Sequence, residues 1–204
     1  MNALEKVYSD ENYEIFVFAI EQNSSMVDTS IIPNEQLDKI QKYKQDIDKI
    51  KRYLARTFLF EHCAKKYGLK DFSFIYTNKK RPKFKHSKVD FSISYSKNLI
   101  AVALSTNATV GVDIEFMEPS IVSKSIAAEF MNTIQLSKFN TLTKKDRDNY
   151  FYKMWTSKES LLKAMGDGLY INPKTVTNEI GDFFYFKDYI ISFTKTNLRN
   201  TNHG

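Results

Sequence analysis

Cysteine is almost absent from this chain. Cys63 is the single one in 204 residues, which excludes an internal disulfide framework. Histidine is scarce as well. His62, His86 and His203 form no spacing with Cys63 that suits zinc. His62 and Cys63 are adjacent on an expected helix and diverge, which argues against a catalytic dyad. No apolar run approaches the roughly 20 residues that span a membrane. The N-terminus, Met1-Asn2-Ala3-Leu4-Glu5-Lys6, carries no secretory pattern. There is no Walker loop, no GxGxxG and no low-complexity linker. These absences point to a soluble, cytoplasmic, globular protein.

The residues that are present agree with a packed core. Hydrophobic residues make up 42% of the chain, and 16 Phe and 12 Tyr argue against disorder over most of its length. The net charge of +6, from 30 Lys+Arg against 24 Asp+Glu, favours an acidic partner or an anionic ligand.

Patterning supplies an order of elements. Tyr13 to Ile20 reads as a buried strand and Ser24 to Asn34 as a loop. One long helix is expected from Glu35 to Tyr67, stopped by Gly68. Asp71 to Tyr76 reads as a strand and Lys79 to Lys88 as a basic loop. Phe91 to Ser96 alternates, with Ser92, Ser94 and Ser96 on one face. Lys97-Asn98 can turn it into a second strand, Leu99 to Leu104. A further strand ends at Glu115, and Pro119 interrupts regular structure beyond it. Short helices are expected over Ile121 to Phe130 and Thr133 to Phe139. A longer one runs from a Thr143 cap to Met165, ended by Gly166 and Gly168. Phe183 to Phe186 and Tyr189 to Phe193 suggest a hairpin, and Thr194 to Gly204 a loose polar tail. Helix and strands occur in similar amounts in each half, which permits two similar lobes meeting near Ser105: 1–104 and 105–204.

Two short segments carry the chemistry. In Gly111-Val112-Asp113-Ile114-Glu115, read as a strand, Asp113 and Glu115 share a face. In Trp155-Thr156-Ser157-Lys158-Glu159-Ser160-Leu161-Leu162-Lys163, read as a helix, Trp155, Glu159 and Lys163 form one stripe. Three carboxylates with a cation one turn beyond make a candidate Mg²⁺ and phosphate site, since Mg²⁺ takes oxygen ligands and shares its shell with substrate phosphates. Each segment alone also has an ordinary reading, as a solvated strand end or a surface ion pair. Their joint occurrence favours the site.

Three blocks of this sequence resemble the 4′-phosphopantetheinyl transferases of the larger, Sfp-like type. Gly111 to Glu115 is similar to that family's G-[IV]-D-[IV]-E. Phe151 to Lys163 is similar to its F-[YF]-x-x-W-[ST]-x-K-E-[AS]-x-x-K. Arg81-Pro82 followed by Phe91 to Ser96 is similar to its G-K-P loop and S-H-S strand. The resemblance implies an α+β fold of two similar lobes related by a pseudo-twofold, each a small antiparallel sheet packed with helices. Coenzyme A would sit between the lobes, and the phosphopantetheine arm would pass from it to a carrier-protein serine. By motif position, Asp113, Glu115 and Glu159 would hold Mg²⁺, with Mn²⁺ as a substitute. Glu159 and Lys163 would be catalytic. Lys39, Arg52, Lys80, Arg81, Ser94, Tyr95, Lys158 and Lys163 would contact the coenzyme. The implied partner is an acyl or peptidyl carrier protein, with no nucleic acid and no membrane, and the enzyme would be a monomer.

Two positions depart from the pattern. Tyr95 stands where the family usually has histidine; a phenol brings a hydrogen bond but no positive charge, so weaker coenzyme binding is expected. Lys80-Arg81-Pro82 replaces Gly-Lys-Pro, keeping charge but losing the glycine's backbone freedom. Two other readings accompany the transferase: a coenzyme-binding module without catalysis, suggested by Tyr95, and a nucleic-acid binder using Lys79 to Lys88.

Overall fold

The computed structural model describes residues 5–10, 12–20, 28–166, 171–176 and 181–197. The fold is α+β. A four-stranded antiparallel sheet has the order β1-β2-β6-β5, built from Glu5–Ser9 (β1), Tyr13–Ala19 (β2), Asp90–Ser96 (β5) and Leu99–Ser105 (β6). A three-stranded antiparallel sheet has the order β7-β9-β8, built from Ala108–Phe116 (β7), Asp182–Phe186 (β8) and Tyr189–Asn197 (β9). A small hairpin of Phe74–Tyr76 (β3) and Pro82–Phe84 (β4) precedes β5 in the chain.

The alternation along β2 explains the layering, because successive side chains leave opposite faces of a strand. Phe16 and Phe18 meet Phe58, Leu59 and Cys63 of the helix Asp46–Tyr67 (α2). Ile15 and Val17 on the other face meet Val110, Val112, Ile114 and Ile191 of the second sheet. The second sheet is covered in turn by the helix Lys144–Met165 (α5), against which Lys124–Phe130 (α3) and Thr133–Thr141 (α4) pack.

β5 and β7 are each an edge strand of their sheet, and they meet through side chains of β5. The Val110 amide donates to Asp90 Oδ2 (2.8 Å), Val112 to Ser92 Oγ (3.1 Å) and Phe116 to Ser96 Oγ (2.9 Å). The serine face expected from the alternation of this strand is therefore the seam between the sheets, and it satisfies edge N–H groups that would otherwise be orphaned.

α5 crosses β7 at backbone contact. A β-carbon added to Gly111 would overlap the carbonyl oxygen of Ser160 and stand 2.7 Å from the amide nitrogen of Ala164, so only glycine fits there. Thr143 caps α5 by accepting from the Asp146 amide (3.3 Å), and Gly166 ends it in the left-handed region at φ 73°.

Several expectations need correction. The single helix from Glu35 to Tyr67 is two, Asn34–Gln41 (α1) and α2, because the chain folds back at 42–45. The fold-back lays the Tyr43 ring against Arg52 (3.5 Å from ring centroid to guanidinium carbon) and lets the Gln41 amide donate to Tyr53 (2.6 Å). The basic loop contains β4, where Phe84 is buried and Pro82 sits at a strand start that tolerates its missing N–H. The loose tail expected from Thr194 does not begin there, since Thr194 to Asn197 pair with Gly111 to Ala108. β1 had no expected counterpart. Gly168, residues 24–27 of the expected loop and the tail from 198 onward lie outside the described residues. Among the described residues no helix is long and apolar enough to cross a membrane.

Candidate functional site

β7 and α5 bring the three carboxylates together. Val110, Val112 and Ile114 turn into the core between the sheets, so Gly111, Asp113 and Glu115 face α5. The helix runs antiparallel to the strand. At one end the Trp155 indole N–H donates to Glu115 Oε1 (3.4 Å). At the other, Lys163 Nζ donates to Asp113 Oδ1 (2.7 Å), to the Val112 carbonyl (3.1 Å) and to Ser94 Oγ (2.8 Å). Glu159 lies between them in the stripe. Ser94 also donates to Asp113 Oδ1 (2.8 Å), and Ser96 to Glu115 Oε2 (3.0 Å), so the serines of β5 orient both carboxylates of β7.

The electrostatics of this group are unbalanced. Burial pushes the Glu115 carboxyl above the usual carboxylate range, and the Asp113 charge pushes it further. Glu159 is raised for the same two reasons, with Lys163 working against them. Asp113 Oδ2 is buried with no hydrogen-bond partner among the described residues. An orphaned carboxylate oxygen beside two carboxyls that resist ionisation is the donor set a divalent cation would complete. Among the described residues no three His, Cys, Asp or Glu side chains already form a metal-holding cluster, so these three would have to converge on the ion.

Beside the carboxylates lies a cleft of about 470 Å³ whose lining includes Lys39, Arg52, Arg56, Lys79, Lys80, Arg81 and Lys163, and no acidic residue among those described. Aromatic rings hold several of these cations. Lys39 Nζ stands 4.3 Å from the Tyr76 ring centroid, and the Arg52 guanidinium lies 5.0 Å from that of Tyr95 as well as against Tyr43. Lys39 and Arg52 also have carboxylate neighbours, Glu35 at 2.6 Å and Asp48 at 3.8 Å.

Of the eight residues expected to contact a coenzyme, Lys39, Arg52, Lys80, Arg81, Tyr95 and Lys163 line this cleft. Ser94 stands next to it, bonded to Lys163 and Asp113. Lys158 is elsewhere. Its ammonium is buried and donates to the carbonyls of Phe130 (2.9 Å), Pro173 (2.8 Å) and Val176 (3.0 Å). Burial pushes its pKa down to about 8. It clamps the chain after α5 to the end of α3.

Arg56 is the residue that sequence reasoning left out. It sits one turn after Arg52 on α2, reaches the cleft, and has a buried Nη1 with no hydrogen-bond partner among the described residues. Burial disfavours its charge. A buried cation without an anion is costly unless a ligand supplies one. The only signal in the sequence was its i,i+4 spacing from Arg52.

Comparisons with known proteins point to one family. Residues 109–193 match the model of the 4′-phosphopantetheinyl transferase superfamily. The chain is 31% identical over 87 residues to the 4′-phosphopantetheinyl transferase HetI of Nostoc sp., covering 43% of this chain and 37% of that protein. It is 34% identical over 79 residues to the 4′-phosphopantetheinyl transferase Sfp of Bacillus subtilis, covering 39% and 34%. With a putative 4′-phosphopantetheinyl transferase of Haemophilus influenzae it shares 33% over 98 residues, covering 46% and 40%. Each match spans well under half of the relative's length. The resemblance expected from the sequence motifs therefore holds over the segment that contains β7, α5, β8 and most of β9.

Proposed function

We propose that this chain transfers the 4′-phosphopantetheine arm of coenzyme A to a serine of an apo acyl or peptidyl carrier protein. The reaction is Mg²⁺-dependent and releases adenosine 3′,5′-bisphosphate. The observation that carries this reading is the adjacency of two oppositely charged regions: three carboxylates on β7 and α5, and an acid-free cationic cleft ending at Lys163. An anionic ligand with a pyrophosphate would suit that junction, with its phosphates among the cations and the reacting phosphorus at the carboxylates.

In this reading Asp113, Glu115 and Glu159 hold the ion, which supplies charge neutralisation and orientation of the pyrophosphate. Lys39, Arg52 and Arg56 receive the anionic groups of the nucleotide end. The carrier serine oxygen attacks the β-phosphorus and the bond from that phosphorus to the bridging oxygen breaks. Lys163, held against Asp113, meets the charge that collects on the bridging oxygen. The serine proton goes to Glu159, directly or through water. The positive balance of the chain, +6, suits an acidic carrier.

The test is intact-protein mass spectrometry of apo carrier proteins of several types, incubated with this chain, coenzyme A and Mg²⁺, beside an EDTA control. A metal-dependent gain of one phosphopantetheinyl group on the carrier supports the reading. Coenzyme binding with no transfer to any carrier would sink it and leave a binding module.

A further inference from the structure

We infer that Arg81 is a positioning residue for Lys163, set at the seam between the two sheets, and that it does not bind the phosphates of the ligand. This inference rests on the proposed transferase activity for one of its readouts.

The guanidinium of Arg81 is turned away from the cleft. Its Nη1 donates to the carbonyls of Lys163 and Ala164 (2.8 Å to the latter), which are among the last of α5. Its Nη2 pairs with Asp90 and donates to the carbonyls of Phe91 (3.2 Å) and Val110 (2.8 Å). One planar fork thus ties the end of α5 to the facing edges of β5 and β7. Lysine, with a single point of attachment, cannot span these acceptors. The side chain is 9% exposed, and the remaining donor, Nε, is buried.

The charge is spent as well. Asp90 Oδ2 neutralises it while accepting from the Val110 amide (2.8 Å), and the negative end of α5 faces it. What Arg81 presents to the cleft is its aliphatic stem, lying over Gly166: a β-carbon on that glycine would be 3.2 Å from Arg81 Cδ. The missing β-carbon at Gly166 is what leaves room for the stem.

Lys163 is the residue this fork places. Arg81 grips the Lys163 backbone, and the Lys163 side chain reaches Asp113, Ser94 and the Val112 carbonyl. Loosening the fork would shift the last turn of α5 over β7, and with it the ammonium at the carboxylate site. A misplacement of about 1 Å at a reacting group can cost about 100-fold in rate.

Arg81→Lys separates the two roles cleanly. A phosphate contact would tolerate lysine, which keeps the charge. A five-donor fork would not. Three quantities are measured on the parent, Arg81→Lys and Asp90→Asn: coenzyme A affinity by calorimetry, turnover at saturating coenzyme A by mass spectrometry of the carrier, and hydrogen exchange at the Gly166 amide, which donates to the Lys163 carbonyl (3.2 Å). For Arg81→Lys the expected result is affinity within about threefold of the parent, turnover down about 10- to 100-fold and faster exchange at Gly166. Asp90→Asn, which keeps the arginine and lies outside the cleft lining, should show the same split at smaller size; it carries the test should Arg81→Lys not fold. An affinity loss of about tenfold or more in Arg81→Lys with turnover and exchange unchanged would overturn the inference. So would parental values for both variants. If the parent itself transfers nothing, the proposed function fails, while affinity and exchange still decide the role of Arg81.

Discussion

The two ends of the cleft are built by different means. The carboxylate end uses neighbouring positions of one strand and one helix turn: Asp113 and Glu115 on β7, Glu159 and Lys163 on α5. Asp113 and Glu115 are held by directed bonds from Ser94, Ser96, Trp155 and Lys163. The cationic end draws long side chains from α1, α2 and the β3–β4 hairpin, and steadies several of them on aromatic rings. The first arrangement suits chemistry, which needs fixed positions. The second suits grip on an anion, where charge matters more than fine placement. The difference predicts that substitutions at the first end change rate and those at the second change affinity.

Asp113→Asn should break the comparison hardest. It preserves the shape at Lys163 and Ser94 but removes the charge. Turnover should fall by roughly a thousandfold or more, equivalent to about 4 kcal/mol, with coenzyme affinity little changed. Mass-spectrometric turnover alongside calorimetric binding checks this; near-parental turnover would remove the carboxylates from the mechanism.

Acid should act on the same end. The folded pKa values of Glu115 and Glu159 lie above their unfolded ones, so the fold favours the protonated forms. On lowering the pH these two therefore take up protons before ordinary surface carboxylates, and doing so does not oppose folding. Turnover is expected to fall as the pH drops, beginning above the range in which ordinary carboxylates titrate, while the thermal midpoint holds. A parallel fall of both would show that global unfolding, not these carboxyls, sets the profile.

Arg56→Met sharpens the other side. Losing one charge-assisted contact should weaken coenzyme A binding by about 10- to 100-fold, with turnover at saturation nearly intact. Arg56 rests against the Phe74 ring (5.1 Å), but its buried Nη1 has no hydrogen-bond partner among the described residues, so its removal should raise stability in the absence of ligand, by about 1 kcal/mol. Urea denaturation of both proteins would reveal a loss of stability instead, if Arg56 were simply structural.

Lys158→Met addresses neither end. Three carbonyls would lose their donor, so stability should drop by about 2 kcal/mol, with affinity unchanged. An affinity change without a stability change would return Lys158 to the ligand.

Tyr95→His should have the smallest effect. The weaker binding expected from the loss of an imidazole is offset here, because Arg52 and Arg56 already place two cations beside the ring. A gain in coenzyme affinity of about threefold or less is expected by calorimetry, and a tenfold gain would show that these arginines do not serve the anion.

The same contrast explains which features could be read before the structure. Alternation placed Asp113 with Glu115, the helical repeat aligned Trp155, Glu159 and Lys163, and capping residues bounded α5, because each is a local property of a regular element. The break between α1 and α2 was not readable, since no Gly or Pro marks 42–45; contacts of Tyr43 and Gln41 with α2 make the turn. β4 hid in a run of charge because what defines it is Phe84 packing in the core and pairing with β3. Arg56 looked like any helix-surface cation until its surroundings were known. Arg81 matched a motif position, yet its guanidinium points to α5, β5 and β7, a direction no spacing encodes.

Gly111 has one more consequence. The separation of α5 from β7 is fixed by main chain touching main chain, with no side chain between them. Rotamer hopping cannot widen that gap. The backbone that carries Glu159 is thus seated directly on the backbone that carries Asp113, and only side chains have to move for the carboxylates to meet on one ion.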